Sequence, residues 1–354
     1  MRALLKSPNQ RGPASRATIA VGLVMVLLLA ACGSGDSDAG PGESGEAAGA
    51  GEGFPVTIEH TYGSTEFEER PERIVTVGLT DHDALLALGV APVGVSDWFG
   101  EQPFATWPWA TDELGDAEPV IVTSAESEGI NFEAIAEQRP DAIVALYSDV
   151  SKEDYDKLEA IAPTVAPPKG RVDHAITWQE STRIAGQVVG ESERAEELVA
   201  DVEQRLTDVR TEHPEFEGKS AIVATPYEGI FIYGLEDPRG HLLQSLGFEL
   251  PKELTDAAED DFGGNISAEK AELLDLDTII WLDPEDAEGP LGGPVYESLA
   301  VHTEGREVFL DSFEDPVGAA TSFVTVLSLP YLLDHLVPKL AAAVDGDPAT
   351  AVEQ

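Results

Sequence analysis

The 354-residue chain reads as an α/β protein built from two like halves around one long helix. Three observations lead there. Short apolar runs alternate with stretches of helical periodicity along most of the chain, the pattern of sheets covered by helices. One amphipathic stretch near the middle keeps its apolar stripe for about 20 residues. One short unit of sequence occurs twice, once on each side of that stretch.

In the first half, residues 73–77 (RIVTV) predict a strand, and residues 81–89 a short helix closing on Gly89. Residues 93–95 and 142–146 predict two more strands. Residues 152–161 predict a helix with a proline-rich exit at Pro163, Pro167 and Pro168. Thr177 and Glu180 form a capping box that opens a helix stopping near Gly190. Ser192 is expected to cap the next. Its stripe of Ala195, Leu198, Val199, Val202, Leu206 and Val209 runs to about Thr211, a core-packing face on a helix roughly 30 Å long. In the second half, residues 221–225 and 229–233 predict paired strands. Residues 242–246 predict a helix closed by Gly247, residues 278–282 a strand, and residues 328–343 a helix interrupted by Pro330 and Pro338.

The repeated unit carries the two-half reading. Asn131, Phe132 and Glu133 precede the run Asp141-Ala142-Ile143-Val144; Ile266, Ser267 and Glu269 precede Asp277-Thr278-Ile279-Ile280. In each copy a glutamate lies eight residues before an aspartate, at a helix start that feeds a buried strand.

The first 16 residues hold Arg2, Lys6, Arg11 and Arg16 and no acid, and residues 17–31 are almost wholly apolar. This is the layout of a secretory signal, shorter than the roughly 20 apolar residues of a spanning helix. It ends in Leu29-Ala30-Ala31-Cys32, which resembles a bacterial lipobox, where the signal is cut before the cysteine and the thiol is acylated. Cys32 is the only cysteine, so no disulfide forms within the chain, and lipidation accounts for an otherwise free thiol. Residues 33–53 are Gly, Ser, Ala, Asp, Glu and Pro, with nothing to build a core, and read as a flexible tether. With 21 basic and 67 acidic residues the net charge is −46. Such a surface repels nucleic acid and anionic lipid, so any membrane attachment falls to the lipid anchor. Solubility outside the cell is sufficient reason for the charge.

Four segments together resemble the iron-siderophore substrate-binding proteins of ABC importers, the two-lobed type with a single connecting helix. They are residues 70–98 (RPERIVTVGLTDHDALLALGVAPVGVSDW), 131–165, 237–251 (DPRGHLLQSLGFELP) and 266–283 (ISAEKAELLDLDTIIWLD). The resemblance covers about residues 56–345. It implies a signal peptide over 1–31, lipidated Cys32 with its linker over 32–55, an N-terminal lobe over 56–172, a connecting helical region over 173–213 and a C-terminal lobe over 214–354. It further implies two α/β lobes joined by a long rigid helix, with the ligand in the cleft between them, where ligands of α/β folds sit. The implied protein is a monomer tethered on the extracellular side of the cell membrane, or the periplasmic side if there is an outer membrane. It would deliver a ferric siderophore to a permease and its ATPase for iron uptake, with no cofactor of its own, the iron arriving inside the siderophore. In this family an acidic residue on each lobe meets basic residues of the permease; Glu133 and Glu269 match those positions.

A ferric siderophore saturates its iron with its own oxygen donors, so its binder needs an apolar wall and a few polar contacts rather than metal ligands. Strand ends expected to face the cleft carry Thr80, Trp98, Tyr147, Tyr227, Arg239 and Trp281, with Arg171 reaching in from the loop before the helices. Phe99, Trp107 and Trp109 lie in the loop after the second strand. Relatives that bind triply charged catecholate complexes tend to carry Arg after the strands that end here at Leu146 and Leu282. This chain has Tyr147-Ser148-Asp149 and Asp283-Pro284-Glu285 instead. An acidic body also opposes a trianion. A neutral or cationic hydroxamate complex is the expectation.

Three other readings compete. Haem iron could be held by His82 and Tyr227, although His82 between Asp81 and Asp83 is also an ordinary helix-start residue. A bare metal would need clustered histidines, and the seven here are dispersed. A secreted hydrolase would need a nucleophile elbow, phosphate loop or metal-binding helix motif, and none is found.

Overall fold

The computed structural model of the chain describes residues 53–124, 129–171, 174–226, 229–256, 262–284, 293–347 and 350. Cys32, the segment read as signal, the segment read as tether up to residue 52, and Tyr227 lie outside the described residues.

A hairpin of β1 (Val56–His60) and β2 (Gly63–Phe67) leads into a five-stranded sheet. That sheet holds β3 (Ile74–Thr76), β4 (Gly94–Asp97), β5 (Val120–Ser124), β6 (Ala142–Val144) and β7 (Thr164–Val165) in the order β5-β4-β3-β6-β7, every pair parallel. Its connections carry α1 (Asp81–Ala87), α2 (Thr111–Leu114), α3 (Phe132–Glu137) and α4 (Lys152–Glu159). Then come α5 (Trp178–Val189) and α6 (Ser192–Glu212). A second five-stranded sheet holds β8 (Ala221–Thr225), β9 (Ile230–Tyr233), β10 (Gly263–Ile266), β11 (Thr278–Leu282) and β12 (Glu307–Leu310) in the order β10-β9-β8-β11-β12. There β8, β11 and β12 run parallel, and β9 and β10 are added antiparallel. Its helices are α7 (Pro238–Ser245), α8 (Lys252–Thr255), α9 (Ala300–Thr303), α10 (Pro316–Phe323) and α11 (Ser328–Val344).

Parallel strands covered on both faces read as continuous apolar runs, as β6 and β11 do. Along β11, Ile279 and Trp281 enter one core with Ile222, Leu274 and Tyr296, while Ile280 and Leu282 enter the opposite core with Val223, Leu243 and Leu329.

The repeated unit makes the same joint in both sheets. Asp141, ahead of β6, accepts hydrogen bonds from the backbone N–H groups of Glu72 and Arg73, where the chain enters β3 (2.9 and 2.8 Å). Asp277, ahead of β11, accepts from the N–H and Oγ of Ser220 entering β8 (2.9 and 2.8 Å) and from Lys219 Nζ (2.9 Å). In each sheet the aspartate locks the start of one strand to its parallel neighbour.

The helical pair between the sheets follows from its capping residues. The Thr177 side chain accepts from the Glu180 N–H, and α5 ends on Gly190 in the left-handed region. Ser192, the expected cap, is instead the first residue of α6; Glu191 takes the cap position without a side-chain bond. This follows from the tightness of the turn: the Glu191 N–H already donates to the Gly186 carbonyl. Gly186 is required there, because a Cβ on it would stand 2.5 Å from Ala195 Cβ. The 21 residues of α6 span roughly 30 Å. Ala195 at its start packs with Ala185, Val188 and Val189; Val199, Val202 and Leu206 pack with Phe216, Leu243 and α11.

Pro330 and Pro338 do not interrupt α11. Pro330 lies in the first turn, where backbone N–H groups have no helical partner to lose. Pro338 lies inside, and the buried Leu329, Leu332, Leu336 and Leu340 hold the helix through it. The helix expected from residue 242 begins four residues earlier, at Pro238, capped by Asp237.

Candidate functional site

All first-sheet strands leave from one edge. Thr80 follows β3, Trp98 follows β4, and Tyr147 follows β6. Asp81 ties the β3 and β6 exits, accepting from the N–H groups of Leu146 (2.7 Å) and Tyr147 (2.9 Å). Burial pushes its carboxyl up, and those backbone donors oppose the shift. Gly78 makes room, since a Cβ there would lie 2.1 Å from Asp81 Oδ2. In the second sheet Asp283 plays the matching part, accepting from the Ser312 N–H (2.6 Å) and so tying the β11 exit to the β12 exit.

The two exit edges meet through aromatic rings. Trp98 and Phe99 from the first sheet reach Phe323 at the end of α10 (5.4 and 5.7 Å between centroids). Phe99 also meets Phe313 beyond β12 (5.5 Å), and Trp98 meets Tyr147 (5.8 Å). Val324, directly after Phe323, takes a left-handed conformation that turns the chain toward Thr325. Thr325 Oγ1 donates to Asp83 Oδ2, which also accepts from Trp109 Nε1 (2.9 Å). Burial pushes the Asp83 carboxyl up, against His82 and these two donors. A small cavity of about 20 Å³, roughly one water molecule in size, lies behind this junction between Thr80, Tyr147, Trp178, Thr182, Pro238 and Phe323.

Arg239 is the charged centre of the junction. It sits in the first turn of α7 and is 4% exposed. Asp237, wholly buried at the N-cap, accepts from Arg239 Nη1 through both carboxylate oxygens (3.1 and 3.0 Å) and from the Arg239 N–H (2.8 Å). The Tyr233 ring lies 4.1 Å from the guanidinium carbon. Burial alone would push the guanidinium down; Asp237, Tyr233 and Tyr147 more than offset it and hold it above its usual range. Tyr147, from the other lobe, is pushed up by burial while Arg239 draws it back. Arg239 Nε is buried with no hydrogen-bond partner.

The structure therefore brings together Thr80, Trp98, Tyr147 and Arg239 of the residues expected from sequence. Arg171 stands at the margin, bridging Glu180 (3.0 Å) and Glu236 (3.9 Å), one on α5 and the other just before α7. Trp281 is a correction. It is 0% exposed, and its Nε1 donates to Tyr296 Oη (3.0 Å) and Glu307 Oε1 (2.9 Å), because β11 alternation turns it into the core away from α10 and α11. Trp107 and Trp109 are also core residues, stacked on each other at 5.5 Å and packed against Phe323. His82 is 1% exposed, with its ring edge-on to Phe323, and so is shut off from a haem in the cleft. Glu133 and Glu269 are exposed, in the first turn of α3 and in a short 3₁₀ helix over Ala268–Leu274. Sequence reading missed Tyr233, Asp237, Phe313 and Phe323. Only Asp237 left a signal, as the capping residue of the Asp-Pro-Arg run. Among the described residues no group of three His, Cys, Asp or Glu is placed to hold a metal, and no helix is long and apolar enough to cross a membrane.

The sequence profile of the periplasmic binding protein family matches residues 74–303. A probable siderophore-binding lipoprotein of Bacillus subtilis is 31% identical over 228 residues; the match takes in 62% of this chain and 66% of that relative's length. The crystal structure of a periplasmic solute binding protein from Mycobacterium smegmatis superposes with a TM-score of 0.72 at 33% identity, covering 82% of this chain and 99% of that one. The iron-uptake substrate-binding protein PiaA of Streptococcus pneumoniae, in complex with ferrichrome, superposes with a TM-score of 0.70 at 28% identity, covering 82% of this chain and 99% of that one.

Proposed function

Because the chain belongs to the periplasmic binding protein family, we propose that it is the extracytoplasmic binding component of an ABC importer, capturing a ferric siderophore of the hydroxamate type. The observation that carries the reading is the junction of the two exit edges. Trp98, Phe99 and Phe313 form an aromatic wall there, backed by the buried Phe323, and Tyr147 and Arg239 supply polar groups beside it. A complex whose iron is already saturated needs this combination of apolar area and few polar contacts. Relatives share the capture of ferric complexes: one is named a probable siderophore-binding lipoprotein, two are named for ferric citrate, one is an iron(3+)-hydroxamate-binding protein of Bacillus subtilis, and a solved neighbour holds ferrichrome. These relatives are named as binding proteins, not enzymes.

The rest of the assignment follows from the same reading. Lipid on Cys32 tethers the protein to the outer face of the membrane. Exposed Glu133 and Glu269, one on each lobe, engage basic residues of the permease, where charge pairs set orientation and encounter rate more than affinity. Titration of purified protein with ferrioxamine, ferric tricatecholate, haem and zinc ion, followed by tryptophan fluorescence, tests the ligand class. Saturable quenching at sub-micromolar ferrioxamine supports the reading. Response to haem or zinc alone refutes it.

A further inference from the structure

The buried cation at the junction, Arg239, is already neutralised by the protein itself. Both oxygens of Asp237 face the Arg239 guanidinium, and neither residue is more than 4% exposed. Three features make the pairing built in rather than incidental. Asp237 caps α7, so the backbone fixes its carboxylate two residues from Arg239. Pro238 between them stiffens the turn. Gly240 lets this turn press against the end of β9, since a Cβ there would lie 2.1 Å from the Gly234 carbonyl oxygen. Arg171, the other guanidinium described at the junction, is likewise held between Glu180 and Glu236. Asp283 adds a further carboxylate near Tyr233. A ligand anion arriving here would find both guanidiniums occupied by carboxylates of the protein. A buried cation stripped of its partner is strongly unfavourable, so removing Asp237 would make Arg239 demand an anion.

We propose that Asp237 is a specificity-determining residue, an internal counter-ion that occupies the place of a ligand's anionic group and makes the cleft reject negatively charged ferric complexes. Arg239 then serves as a fixed hydrogen-bond donor through its unpartnered Nε, rather than as a charge for the ligand. This rests on the ferric-siderophore reading above. It makes the net charge that the junction presents to a ligand a property of one residue pair, neutral with both groups present or both absent and positive only when Asp237 alone is lost, separate from the long-range field of the acidic chain.

The test uses one iron–hydroxamate core at three charges. Ferrioxamine B carries a pendant ammonium, its N-acetyl derivative is neutral, and its N-succinyl derivative carries a carboxylate. Dissociation constants are measured by fluorescence at 0.15 M salt for wild type, D237N and D237N/R239Q. Asparagine preserves the helix cap. Wild type is expected to bind the N-succinyl complex at least ten-fold more weakly than the N-acetyl complex. D237N should close or invert that gap, a relative gain of ten-fold or more. The double variant, with neither charge, should keep the wild-type order. A D237N ratio within two-fold of wild type overturns the proposal, as does wild type binding the N-succinyl and N-acetyl complexes equally. Should D237N fail to fold, the double variant decides. Selective loss of the N-succinyl complex by ten-fold there would mean that Arg239 serves the ligand, against the proposal. Hydroxamate binding without charge preference overturns this inference alone; no binding of any of the three overturns it together with the ferric-hydroxamate reading.

Discussion

Replacing Glu307 with alanine should cost several kcal/mol of stability and leave ligand binding intact. Three donors converge on this carboxylate, which is 6% exposed: Trp281 Nε1 at 2.9 Å, the Tyr296 hydroxyl, and His302 Nδ1 at 2.8 Å. Trp281 and Tyr296 are themselves buried, so water cannot replace the lost acceptor. Each stranded donor costs about 1–3 kcal/mol. His302 sits at the surface and re-solvates, so its share is small. Trp281 Nε1 keeps a contact to Tyr296 Oη at 3.0 Å, which softens the loss. The sum is about 2–5 kcal/mol. Glu307→Gln keeps an acceptor and should cost about half as much. Urea unfolding followed by circular dichroism reads both variants, and Y296F in a double-mutant cycle with E307A should show coupling of about 1 kcal/mol or more. The reasoning is wrong if E307A unfolds at the wild-type urea midpoint, or if it weakens ferric-complex binding more than it weakens stability.

Other expectations follow from particular contacts. Asp277 is pushed upward by burial, but hydrogen bonds from Ser220 and Lys219 bring it to a net depressed pKa. Its contribution is therefore full above the unfolded carboxylate pKa near 4 and disappears as pH falls through the folded value; being partly exposed, D277N should cost only about 1 kcal/mol at pH 7, a difference that fades in acid melts. G240A places a Cβ 2.1 Å from the Gly234 carbonyl oxygen, so it should cost about 1–3 kcal/mol in thermal melts and weaken ferric-complex affinity by shifting Arg239. T325V removes the Asp83–Thr325 bond between the first sheet's α1 and the turn before α11, and urea unfolding should record a loss of about 1–2 kcal/mol. E133A and E269A should leave ligand affinity unchanged and reduce iron uptake by cells, most of all together, if these glutamates meet the permease.

Much of the architecture was legible because it rests on local signals. The Thr177 cap, the Gly190 stop and the apolar stripe of α6 specify the central helical pair almost to the residue. The paired Asp141 and Asp277 pointed to two like sheets, and each makes the same strand-locking joint. The short edge strands β5, β7, β10 and β12 were not legible, since a few residues of weak alternation carry little periodicity. The site was half legible. Trp98, Tyr147 and Arg239 follow from the rule that cleft residues lie beyond strand ends. Trp281 obeyed the same rule on paper but is the fourth residue of β11, and strand alternation sends it to the opposite core. Phe313 and Phe323 come from α10 and the loop before it, which have no partner in the first sheet, so only the tertiary fold brings them against Phe99 and Trp98.

The location of the ligand is the claim on which the account depends, and the tryptophans can report it one at a time. Ferrioxamine should quench wild-type fluorescence saturably. W98F should lose most of that quenching and bind more weakly, whereas W281F, altered only in the core behind β11, should keep the wild-type affinity and the quenching due to Trp98. Quenching that survives in W98F and disappears in W281F would place the ligand elsewhere and contradict the account.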